Sequence, residues 1–110
     1  MTRREAKEIA LEVWRYLCDH PEKCKRELPE YLRQKIEGME NQCPLCELFS
    51  DQVMCRRCPL GNCDDGSPYD KWSLSYYWGE MKRRPPEEIK QEAAAEIVRR
   101  VEAWEPGEEE

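Results

Sequence analysis

Along residues 4–22, REAKEIALEVWRYLCDHPE, the apolar positions Ile9, Val13 and Leu17 recur every four residues, with Ala10 and Trp14 beside them. That period is the one a helix needs to put a single stripe against a core, and Pro21 marks its end. LPEYLRQKIEGM, residues 28–39, places Leu28, Leu32, Ile36 and Met39 on one face. Pro29 suits a first turn there and Gly38 a C-terminal cap, so a short second helix is expected. In GSPYDKWSLSYYWGEMKRR, residues 66–84, Ser67 is a natural N-cap, Pro68 fits the first helical position, and Tyr69, Trp72 and Tyr76 follow at spacings of three and four. This predicts one continuous third helix with Trp72 and Tyr76 in the core. The last pattern, PPEEIKQEAAAEIVRRVEAW over residues 85–104, opens on two prolines and two glutamates that suit the positive end of a helix dipole. Ile89, Ala93, Ile97 and Val101 then form its stripe, with Val98 and Trp104 alongside. The expected fold is a small all-α domain of about four helices with an irregular Cys-rich metal-binding segment in the middle.

That segment lies in residues 40–66, where two Pro, two Gly and five Cys break any period. Something other than apolar burial must fix its backbone. CPLCELFSDQVMCRRCPLGNC, residues 43–63, spaces its thiols as Cys43-x2-Cys46, eight residues, Cys55-x2-Cys58, four residues and Cys63. Two Cys-x2-Cys turns are what a tetrahedral four-thiolate zinc site asks for, because each turn aims two sulfurs at one point about 2.3 Å away. Zinc is the favoured reading, with an iron–sulfur cluster, structural disulfides and simple buried thiols as alternatives. Five thiols exceed four places by one. Cys55 and Cys58 repeat the geometry of Cys43 and Cys46, so Cys63 is the expected spare and also the main rival for a place. A closed four-thiolate site leaves no position for water, which speaks for structure and against hydrolysis.

The remaining two cysteines, Cys18 and Cys24, flank the single histidine, His20. They read as packed thiols or as a disulfide across a short loop, and, less favoured, as ligands with His20 of a second metal. One histidine, no Gly-rich phosphate loop and no GxSxG leave no Ser/His/Asp set, so an enzyme is not expected.

Length changes the picture little: 110 residues make one domain, able to bury roughly two thirds of its unfolded surface. At 38% charged and 39% hydrophobic residues the core is thin, yet four Trp and five Tyr argue against disorder. Residues 1–104 are expected as one zinc-braced helical domain, and 105–110, EPGEEE, as an acidic disordered tail. Four of the six net negative charges sit in that tail, leaving the body at −2, which neither forbids nucleic acid nor suggests a DNA mimic. Plentiful Glu, Lys and Arg with few Asn or Gln point to a thermophilic source. No apolar run approaches the ~20 residues of a membrane span and the N-terminus lacks a signal-peptide block, so the expected location is the cytoplasm, with no membrane partner. Basic residues cluster at Arg56 and Arg57, at Lys82, Arg83 and Arg84, and at Arg99 and Arg100. The first two clusters are the candidate nucleic-acid contacts, although cations near helix ends also satisfy the dipole.

CPLCELF, then CRRCPLGNC, then GSPYDKW, followed by the Ala-rich closing helix ending IVRRVEAW, resembles small Cys-rich proteins encoded by tailed phages and prophages. The likeness spans residues 28–104 and includes ELPEYLRQKI; Cys18 and Cys24 lie outside it. It implies an accessory protein with a metal-binding middle and implies no activity. The function expected from the whole reading is a non-enzymatic zinc-binding interaction module that binds another protein. A nucleic-acid-binding zinc protein is the first alternative and an iron–sulfur redox protein the second.

Overall fold

The computed structural model describes residues 2–39, 43–49, 60 and 66–105. Among these residues there is no strand, and the helices are α1 (Arg3–Asp19), α2 (Glu30–Ile36), α3 (Pro44–Phe49), α4 (Pro68–Ser73), α5 (Ser75–Lys82) and α6 (Pro86–Ala103), with a 3-10 turn at Lys25–Glu27. The chain is all-α. No described helix is long and apolar enough to cross a membrane.

α1 begins where its ends are best satisfied. The Thr2 hydroxyl accepts the Glu5 N–H at 3.0 Å and the Glu5 carboxylate accepts the Thr2 N–H at 3.0 Å, a reciprocal cap the apolar pattern did not disclose. Its buried face is Ala6, Ala10, Val13, Trp14 and Leu17, while Ile9 sits at the edge of the stripe. α2 buries Leu32 and Ile36, and Gly38 just beyond it takes φ +84°, a left-handed conformation open to glycine without penalty. α6 is the spine, burying Ile89, Ala93, Ala94, Ile97 and Val101 against α1, α4 and α5. Polar ties hold the C-terminal helix region to the N-terminal helix, among them Lys7 Nζ donating to the Trp104 carbonyl at 2.6 Å and Gln91 Nε2 donating to the Cys18 carbonyl at 3.1 Å.

The single third helix expected over residues 67–84 is two helices. Ser67 caps α4 as expected, accepting the Asp70 N–H at 3.1 Å, with Pro68 at the first position. The Ser73 hydroxyl then donates to the Asp70 carbonyl at 3.3 Å, the kind of local bond that competes with helix propagation, and Leu74 leaves the helical region at φ −110°, ψ 39°. The break redirects everything after it. Trp72 stays in the core, 6% exposed, but Tyr76 is turned outward at 81% exposure, contrary to the expected shared face.

The α5–α6 turn demands glycine at position 79. A Cβ there would stand 2.7 Å from the Arg84 carbonyl oxygen and 3.3 Å from the Pro86 nitrogen. Gly79→Ala should therefore force this turn apart and cost about 1–3 kcal/mol, read as a lowered denaturation midpoint. An unchanged midpoint would mean the turn relaxes freely.

Candidate metal centre

The segment expected to be irregular contains a helix. Pro44 occupies the first position of α3, with Glu47 in its first turn, and the Cys43 carbonyl accepts the first helical bond from the Glu47 N–H at 3.0 Å. The Cys43-x2-Cys46 turn is thus the entry to α3, where Pro and an early Glu are the signals that sequence offered. Leu45, 0% exposed, anchors the turn, and Cys43 is itself 2% exposed in the main core. α3 packs on α1.

The surroundings of Cys43 favour a thiolate. The Cys46 thiol donates to its sulfur and pulls Cys43 down from 9 to about 7; burial opposes this, while the charge of Lys25 and the backbone N–H groups of Cys46 and Leu45 assist. Two sulfurs therefore already converge within one turn. Lys25 is the unexpected member: only 9% exposed, it donates to the Tyr69 hydroxyl at 3.3 Å and lies 4.9 Å from the Tyr69 ring centroid and 5.5 Å from that of Trp14. Nothing in the sequence around KCKRE distinguishes this lysine from its exposed neighbours.

Leu60 connects the second half of the motif to the same core. It is 3% exposed, packs in the cluster that holds Cys43 and Leu45, and its carbonyl accepts from Arg100 Nη1 at 3.3 Å. In sequence Leu60 follows Cys58 by two positions and precedes Cys63 by three. Cys55, Cys58, Cys63, Arg56 and Arg57 themselves lie outside the described residues, as do positions 106–110 of the acidic tail. Among the described residues no three Cys, His, Asp or Glu side chains converge on one point.

The other sequence candidates are occupied elsewhere. Cys18 and Cys24 are free thiols, with Cys18 facing the Gln91 carbonyl at 3.8 Å and Cys24 the Glu27 carboxylate at 3.3 Å. The pairing considered from sequence is therefore not formed. Burial pushes the Cys18 thiol up, the opposite of a ligand's requirement. His20 Nδ1 donates to the Tyr16 carbonyl at 2.9 Å and its ring stacks on Tyr16 at 4.1 Å. Of the basic cluster, Arg84 pairs with Glu92 and Glu88, whereas Lys82 and Arg83 form no ion pair with the described residues. No protein-family profile, curated protein or solved structure matches the chain.

Proposed function

We propose that the chain is a zinc-braced helical binding module without catalytic activity, of the phage accessory type its motifs resemble. Cys43 and Cys46 supply two thiolates, and two of Cys55, Cys58 and Cys63 complete the tetrahedron. The observation that carries this reading is the enclosed Cys43 sulfur, ringed by donors and faced by the charge of the buried Lys25. Zinc on four thiolates carries a net charge of about −2, and a charge in a protein interior needs a partner. Lys25 is that partner. The anchoring of Leu60 in the same core cluster as Cys43 supports supply of the remaining ligands from the second half of the motif.

The test is zinc content in five single Ser variants. Zinc should be lost at Cys43, Cys46, Cys55 and Cys58 and kept in Cys63→Ser. Loss in Cys63→Ser with retention in Cys55→Ser would reassign the fourth ligands to Cys58 and Cys63. Retention in all five would remove the four-thiolate site.

Lys25 carries its own prediction. Lys25→Met keeps the aliphatic bulk over Trp14 and Tyr69 but removes the charge, and should weaken zinc binding about 10- to 100-fold in a chelator competition, as loss of an outer-shell partner does elsewhere. Equal affinity would confine Lys25 to its aromatic contacts.

A further inference from the structure

The aromatic surface left by the α4–α5 break has a construction of its own. Tyr77 and Met81 on α5, with Leu74 at its N-cap, follow one another at spacings of three and four and are 58%, 58% and 50% exposed. Beside them the Trp78 indole is held in place: its Nε1 donates to the Asp70 carboxylate at 2.9 Å, and the same oxygen accepts the Gly66 N–H at 3.1 Å. Tyr77 meets Trp78 edge to face, 5.8 Å between centroids and 85° between planes. Together with Asp70 and Leu74 these two rings line an open cleft of about 350 Å³. An immobilised indole beside an exposed phenol is a preformed platform for a planar ring.

Cations also stand near the indole. Lys71 Nζ is 5.6 Å and Lys82 Nζ 5.9 Å from the Trp78 centroid, and both lysines line a neighbouring groove of about 340 Å³. Carboxylates line that groove too, but Glu92 is paired by Arg84, and Glu96 by Arg99 and Arg100. Lys71, Lys82 and the exposed Arg83 next to them form no ion pair with the described residues. Lys71 and Lys82 feel the charge of Glu92, whose direct ion pair is with Arg84, so Trp78 stands beside both an aromatic cleft and cations without a direct ion pair among the described residues.

We propose that this face binds single-stranded nucleic acid, with a base stacked in the Tyr77–Trp78 cleft and backbone phosphates on Lys71, Lys82 and Arg83. The proposal deepens the binding-module reading by naming a partner class. Charge is one reason to prefer it over a protein, because unpaired cations around exposed rings complement a polyanion that also carries stacking surfaces. Size is the other. The apolar stripe from Leu74 to Met81 runs only about 10 Å along the helix, far short of the roughly 800 Å² per partner that a standard protein interface buries.

The experiment is fluorescence anisotropy of a labelled oligothymidylate of about 16 nucleotides with the full, zinc-loaded chain, titrated at several salt concentrations. Affinity should fall as salt rises, and a duplex of equal length should bind more weakly because its bases are not free to stack. Tyr77→Ala should lose roughly 5-fold or more in affinity. Tyr76→Ala removes an even more exposed phenol outside the cleft and should bind as the wild type does. In Lys71→Ala/Lys82→Ala the log–log salt slope should flatten by roughly 1.4, two single-strand phosphate contacts. Zinc content and helical circular dichroism, measured on each variant, separate loss of binding from loss of fold or metal. Absence of salt-dependent binding by the folded wild type, or equal binding by Tyr77→Ala, overturns the proposal and returns this face to a protein partner. A helical, zinc-free chain that binds the oligonucleotide would uphold the proposal while defeating the metal reading.

Discussion

Cys43→Ser is expected to release zinc and unfold at least the middle of the chain. A structural zinc contributes about 10–16 kcal/mol of apparent binding free energy in peptide systems, against about 5–15 kcal/mol of net stability for a whole domain. Losing a true ligand therefore exceeds what the helices have in reserve. Cys43 adds a second liability, because it is 2% exposed in the main core cluster, so the change strikes the packing as well as the metal. Loss of near-ultraviolet circular dichroism together with zinc would agree. A variant that keeps its zinc and its melting temperature would show that Cys43 is a packed thiol. Cys63→Ser provides the contrast, with an expected cost of roughly 1 kcal/mol, an ordinary figure for a small side-chain change.

Trp14→Ala should cost about 3–5 kcal/mol, the range for removing a large aromatic from a core. Trp14 is 1% exposed and sits edge-on to Trp72 at 5.0 Å and to Tyr69 at 6.0 Å, joining α1 to α4. It is also one of the two rings that seat the Lys25 ammonium, so the variant should lose part of its zinc affinity along with its stability. Chemical denaturation of the zinc-loaded protein gives the first number and chelator competition the second. Loss of stability alone, with zinc affinity intact, would detach the aromatic stack from the metal centre.

The long helices were legible because burial dictates their period: Ile89, Ala93, Ile97 and Val101 were expected on one stripe and all are buried. Ser67 and Pro68 at the start of α4 were legible for a local reason, a cap and a fixed φ that need no tertiary context. Tyr76 was misplaced because the pattern extrapolates one helix axis, whereas the Ser73–Asp70 bond and the turn at Leu74 start a new axis and rotate its face outward. α3 was missed because six residues are too few to establish a period, leaving only Pro44 and Glu47 to announce it. Lys25 was illegible for a deeper reason. Its role depends on Trp14, Tyr69 and Cys43, which come together only in three dimensions, and no spacing along the chain encodes that meeting.

The expected four-thiolate centre reduces to one number, the metal content of the purified chain. Elemental analysis with a visible absorption spectrum should find one zinc per chain and a colourless protein. A brown preparation with broad visible absorbance and iron in place of zinc would contradict it in favour of a cluster, and a folded, stable chain without metal would contradict it altogether.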